Sequence, residues 1–344
     1  MRASFCNQQR LRHDKTRRPQ HRGRSPVTVC VAVLFRWNYA AKDAPPNVGI
    51  AGIVASDRMI TAGDVKYEPH QMKIAEMTPQ CLLSVAGDFA IHSQAIQDTR
   101  RVVRTARDKS PDNIARLYGK AIQSIKQREA EDLYLSPLGM NSDSFIAQQK
   151  DMADSFIDRI TGQLQSYEGE EVGAIIIGSD AENVHLYTVD SKGITHCLDD
   201  VGFAAIGIGA WHARSRLMQM GYTNQQYLAP ALAAVFAAKK AGDLAPGVGE
   251  FTDINLVMKD SYFPLWNKVH GKMHELYKRV AEDVTTIAKD AIAELDKFIG
   301  TPEADDDKKA EDGKPPGSDA TDAQPNGGAN PPETEATRKD EIGP

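Results

Sequence analysis

Apolar residues come first in short unbroken runs and later at helical spacing. Residues 27–37 (VTVCVAVLFRW) and 48–56 (VGIAGIVAS) are apolar and rich in β-branched side chains, and AAKDAPPN lies between them. The pattern predicts a hairpin closed by a long, proline-containing loop. Short pieces at 57–63 and 73–77 follow, then residues 81–86 (CLLSVA), a buried-type strand that ends at Gly87-Asp88. The period then changes to 3.6. Ile91, Ala95, Val102, Val103 and Ala106 mark a helix over 90–107. Ser110-Pro111-Asp112 supplies an N-cap and an N1 proline for a second helix through Ile114, Leu117, Ala121, Ile122 and Ile125. Residues 132–169 form an extension with helical period at Phe145, Met152, Phe156, Ile157, Ile160 and Leu164.

Strands return at 172–178, 184–190, 194–198 and 203–206, predicted as an antiparallel meander. Helices over 211–220 and 224–241 follow, and a strand over 253–259 (DINLVMK) closes the core. Strands, two helices, strands, two helices and a strand predict an α+β fold. Helices would cover the outer faces of stacked antiparallel sheets, rather than alternate with strands in βαβ units. Residues 265–299 read as one long helix, with Trp266, Val269, Met273, Leu276, Val280, Val284, Ile287, Ala291, Leu295 and Phe298 spaced by three and four. That stripe docks on the core or binds a partner.

Charge sets the ends apart. Residues 1–26 carry eight Arg and Lys against Asp14, a balance of +7, and residues 301–344 carry twelve acids against five bases, a balance of −7. The whole chain of 344 residues is at −6 and the two ends cancel, so the middle also holds −6, ordinary for a globular protein. The tail has seven prolines and no aromatic residue, too little apolar surface to offset its ordering entropy. The expected organisation is a basic leader or propeptide at 1–26, a main domain at 27–262, a long helix at 263–300 and a disordered acidic tail at 301–344.

Several function classes drop out. No run approaches the eighteen or more apolar residues of a membrane span, and the N-terminus lacks the apolar core of a secretory signal. Cys6, Cys30, Cys81 and Cys197 are scattered without a CxxC pair, which argues against zinc or a disulfide framework and for a reducing, cytoplasmic setting. His92, His185, His196 and His212 have no metal-ligand spacing and read as surface or satisfied core histidines. The GxGxxH at 207–212 lacks the third glycine and the βαβ setting of a dinucleotide site, and no phosphate-binding GxxxxGK loop exists. Neither a metal nor a cofactor is expected. The basic leader has no aromatics beyond Phe5 to stack on bases, so a propeptide is the better reading than a nucleic-acid arm.

The segments GIAGIVASDRMITAG, MKIAEM, LLSVAGD, VGAIIIGSD, VHLYTVDSKG and FAAIGIGA, in this order of elements, resemble the proteasome β-type and related bacterial subunits. The resemblance covers roughly residues 27–259. It implies the four-layer αββα fold of the N-terminal nucleophile hydrolases. Asp57 lies two residues after Ala55, Lys73 lies 16 residues later, and Gly87 lies 14 beyond that. In active members Asp, Lys and Gly occupy this pattern. The resemblance implies a nucleophile beside Lys73, a pair between Asp57 and Lys73, and an oxyanion donor at the Gly87 amide. Thr28 is the only hydroxyl residue inside the first strand, and so the candidate nucleophile.

That chemistry has physical requirements. A threonine hydroxyl is a weak nucleophile and must pass its proton to a base. Once a leader is removed, the chain's own α-amine, with a pKa near 8, can serve. A neighbouring lysine lowers the amine pKa and holds the hydroxyl, and a carboxylate keeps the lysine oriented and charged. A backbone N–H aimed at the oxyanion contributes roughly 3–4 kcal/mol. Two features depart from the pattern. Ile208 stands where the family commonly has a serine between glycines, and the loop at 242–252 has no serine, with Asp243 as a stand-in for the accessory aspartate. Three readings follow: a threonine peptidase subunit working with identical copies in a ring on peptides or unfolded protein, with an ATP-dependent unfoldase as a separate partner; a catalytically silent subunit of the same fold; and an amidohydrolase acting on small amides.

Overall fold

The computed structural model describes residues 28–39, 47–62, 65–67, 73–249, 251–265 and 267–299. The expectations for the leader, the hairpin loop, Trp266 and the acidic tail lie outside these residues. The described chain falls into two units, the first ending at Asp283 and the second beginning at Val284.

The first unit is α+β. One five-stranded antiparallel sheet has the order β10-β1-β2-β11-β12, formed by β1 (Cys30–Tyr39), β2 (Asn47–Asp57), β10 (Phe203–Ile206), β11 (Thr252–Val257) and β12 (Tyr262–Pro264). The other has the order β5-β6-β7-β8-β9, formed by β5 (Ile74–Thr78), β6 (Cys81–Gly87), β7 (Val172–Ser179), β8 (Val184–Val189) and β9 (Thr195–Cys197). A small ribbon pairs β3 (Ile60–Ala62) with β4 (Val65–Tyr67).

Side chains alternate across each strand, and on the central strands both faces are covered. Cys30, Ala32 and Leu34 of β1 meet Leu82 and Ala86 of β6 and Ile175 and Ile177 of β7 in a core between the sheets. Val31, Val33 and Phe35 turn the other way, onto α5 (Ala210–Gln219) and α6 (Leu228–Gly242), against Ala213, Leu217, Val235 and Phe236. Leu83 and Val85 of β6 turn outward onto α1 (Phe89–Thr105) and α2 (Pro111–Tyr134), against Ile91, Ala95, Tyr118 and Ile122. Burial on two faces is why 27–37 and 81–86 read as unbroken apolar runs rather than as alternation.

The predicted α2 cap is present: the Ser110 hydroxyl accepts from the Asn113 N–H, with Pro111 at N1. The 132–169 extension folds as α3 (Ser142–Gln148), α4 (Asp154–Gln165) and two short 3-10 turns around its own small core of Leu135, Phe145 and Ile160. One expectation is corrected. Residues 203–206 do not continue the meander of β7, β8 and β9 but pair with β1 in the other sheet, Phe203 opposite Val33 and Ile206 opposite Cys30. The turn that redirects the chain is Gly202, at φ +77°, whose carbonyl accepts from the Leu34 N–H at 2.7 Å.

Helix α7 (Asn267–Ile299) begins in the first unit, where Met273 and Tyr277 pack on the core and Tyr277, His270 and His274 surround the Phe236 ring. In the second unit the same helix presents Val284, Ile287, Leu295 and Phe298 as exposed side chains. No described helix is long and apolar enough to cross a membrane.

Candidate active site

Three of the four sequence-predicted site residues are in direct contact. Thr28 lies two residues before β1, Asp57 ends β2, and Lys73 lies just ahead of β5, so the group joins both sheets. The Lys73 Nζ donates to Thr28 Oγ1 at 2.5 Å and to Asp57 Oδ2 at 2.9 Å. All three are buried, with 4% of Thr28, none of Asp57 and 7% of Lys73 exposed. An ion pair so far from water is stable only when its remaining lone pairs are satisfied. Here they are: Asp57 Oδ1 accepts from the Val29 N–H at 3.1 Å, and Oδ2 accepts from the Met59 N–H at 3.0 Å and the Gly249 N–H at 3.2 Å. The carboxylate is therefore fixed from three segments of chain, and it fixes the ammonium against the threonine hydroxyl in turn.

Gly87 is placed differently. It is the last residue of β6, opposite Val172 of β7, and at φ +126° it adopts a conformation open to glycine. The Ala86 side chain adjoins Gly207, and Gly207, at φ +87°, lies against the Thr28 carbonyl, where a Cβ would clash. The Val85 N–H donates to the Lys73 carbonyl at 3.3 Å. N–H groups two residues apart on an extended strand point the same way, so the Gly87 N–H is turned to the side that carries Lys73.

Asp243, the expected stand-in for the accessory aspartate, contacts two lysines of α6. It pairs with Lys239 at 2.8 Å and Lys240 at 3.1 Å. Lys239, fully buried, donates to the Gly249 carbonyl at 2.8 Å and the Phe251 carbonyl at 3.3 Å. Burial pulls the Lys239 pKa down, and Asp243 opposes that pull. Lys239 thus holds the loop whose Gly249 N–H reaches Asp57. Sequence reasoning missed it; the signal is a lysine inside AAVFAAKKAG, at helical spacing from the core residues Val235 and Phe236.

Cys30 competes poorly as a nucleophile. Its thiol donates to the Val85 carbonyl at 3.3 Å, and burial above all, with the nearby Asp57 charge, pushes it up to about 12. Buried His92 bonds Tyr118 and Ala86, and half-buried His185 lies between Asp180 and Asp199, whereas the buried Nε2 of His270 has no hydrogen-bond partner among the described residues. Beside Ala86 and Gly207 opens a groove of about 650 Å³, lined also by Val172, Phe203, Trp211 and Arg214. That size falls in the range of small-molecule sites, and Thr28, Asp57, Lys73 and Gly87 are not part of its lining.

No family model matches the chain, and no curated protein matches its sequence.

Proposed function

We propose that the chain is a proteasome-like threonine peptidase subunit with the N-terminal nucleophile hydrolase fold, in which Thr28 is the nucleophile. The observation that carries this reading is the contact of Lys73 Nζ with both Thr28 Oγ1 and Asp57, all three buried. A surface threonine in a strand needs no such support, and a buried ammonium aimed at a hydroxyl is how a weak nucleophile is held and its neighbouring base tuned.

In the uncut chain the first bond broken is the one before Thr28. Its Oγ1 attacks the Val27 carbonyl carbon and its proton passes to the departing Thr28 nitrogen. The C–N bond breaks, which frees the α-amine and leaves an ester on Oγ1, and water hydrolyses the ester to release the leader with a new carboxylate and restore the hydroxyl. In each later turnover that amine takes the hydroxyl proton and delivers it to the leaving amine of the substrate, and water then releases the acyl group. Lys73 holds Oγ1 throughout and depresses the amine pKa by like charge. The Gly87 N–H receives the developing oxyanion. Identical copies in a ring would enclose the site, peptides or unfolded protein would be the substrate, and an unfoldase would be a separate chain. The free thiols of Cys30, Cys81 and Cys197 suit a reducing compartment.

Intact-mass measurement of the purified full chain tests this reading. Wild type should lose residues 1–27, Thr28→Ser should lose them more slowly, and Thr28→Ala, which removes a hydroxyl and a methyl, should keep them. Retention of the leader in wild type would favour the silent subunit, and cleavage persisting in Thr28→Ala would remove Thr28 from its role.

A further inference from the structure

We propose that His92 is a positioning residue for this hydrolysis, holding the Ala86 carbonyl so that the Gly87 N–H stays aimed at the carbonyl under attack; the inference rests on the peptidase reading above. His92 lies in the first turn of α1, 1% exposed, with Nε2 3.0 Å from the Ala86 carbonyl oxygen and Nδ1 2.5 Å from the Tyr118 hydroxyl. A carbonyl only accepts, so the ring proton sits on Nε2. Nδ1 then has a lone pair, and the Tyr118 hydroxyl donates to it. Burial pushes the imidazole down to about 4, which leaves it neutral and in this single tautomer at ordinary pH.

The carbonyl that His92 holds and the N–H of Gly87 belong to the same peptide group and point in opposite directions. A bond to one end therefore orients and polarises the other. Gly87 needs that restraint. A glycine at φ +126° has no side chain to resist rotation of its peptide, and a Cβ there would strike the Glu171 carbonyl and lie 2.8 Å from the Val172 Cα. The far side of Gly87 is pinned as well: the Asp88 carboxylate caps α1, accepting from the Ala90 N–H at 2.8 Å and the Ile91 N–H at 3.0 Å. Tyr118, His92 and the 86–87 peptide thus form one directed chain of hydrogen bonds from α2 to the site.

The test uses the full-length chain as wild type, His92→Phe, His92→Gln and Tyr118→Phe. The readouts are loss of the leader by mass, kcat and KM on fluorescein-labelled casein, and deuterium exchange of the segment containing Gly87. His92→Phe should lower kcat roughly 10–100-fold with KM within about twofold, because the oxyanion bond is made in the transition state. His92→Gln, which keeps a donor, should recover most of that loss, and Tyr118→Phe should fall between. Exchange at Gly87 should quicken in His92→Phe and not in His92→Gln. Unchanged kcat in His92→Phe, a change confined to KM, or a glutamine variant as impaired as the phenylalanine one would overturn the proposal. Should His92→Phe not fold, Tyr118→Phe, which deletes one oxygen, carries the same comparison. A wild type without hydrolysis would sink the peptidase reading alone, and equal exchange at Gly87 in wild type and His92→Phe would then still overturn the role of His92.

Discussion

At the scale of single residues, the arrangement is governed by what a buried charge demands. Asp57 is wholly enclosed and accepts three backbone N–H bonds besides the Lys73 ammonium. Asp57→Asn should therefore cost about 3–5 kcal/mol in urea unfolding, because it leaves Lys73 buried without a counter-charge. A variant as stable as wild type would show that the pair contributes nothing. Gly207→Ala should cost at least about 2 kcal/mol and slow leader loss, since its φ of +87° and the Thr28 carbonyl both exclude a Cβ; thermal unfolding checks the first and mass the second. Asp57 and Lys73 were legible through the resemblance to the proteasome family, since by themselves they read as a turn carboxylate and a solvated lysine, and Thr28 was legible as the hydroxyl at the start of the first apolar run. Lys239 and His92 were not. A lysine in an alanine-rich helix and a histidine on a helix acquire their roles from the Gly249 and Ala86 carbonyls, which lie elsewhere in the chain or past a turn.

At the scale of elements, periodicity read α1 and α2 because each buries mainly one face, and the continuous runs read the central strands because those bury two; α6 is buried all round from Ala234 to Lys239. The sheet to which a short strand belongs is a different matter. β10 has four residues, and its move from the meander to the edge of β1 depends on Gly202 and on a partner more than 160 residues away. Nothing in FAAI encodes that choice. The β8–β9 end offers a pH test. His185 donates to Asp199 at 2.7 Å and Asp180 at 2.8 Å, and these bonds, that to Asp199 foremost, hold its pKa up to about 9. The folded pKa lies above the ordinary 6.5, so this stabilisation is complete below pH 6.5 and is lost as pH rises through 9. After screening at this partly exposed site it should amount to about 1–2 kcal/mol. Urea unfolding at pH 6 and pH 9.5 should show that difference in wild type, and His185→Gln should flatten it. Along α7, Tyr277→Ala should lower the melting temperature, because Tyr277 packs on the core and the Phe236 ring. Leu295→Glu should leave it within about 1 °C, because Leu295 is exposed.

At the scale of the whole molecule, two sheets with helices on their outer faces bring together points that are far apart in sequence. The hydroxyl, carboxylate and ammonium come from residues 28, 57 and 73, and a fourth contributor, the Gly249 N–H, arrives with the loop that leads into β11. Reading the sequence from either end gives the members of this group but not the order in which they can meet. That order has a consequence for synthesis. A ribosome delivers the threonine first and Gly249 some two hundred residues later, so a growing chain carries Thr28 without this support through most of its synthesis. On the peptidase reading, the leader is then a seal that only a finished molecule can break. Chains halted at residue 242 should keep it and chains released at residue 265 or beyond should shed it, so the mass of the N-terminus would record whether a given molecule had completed its fold.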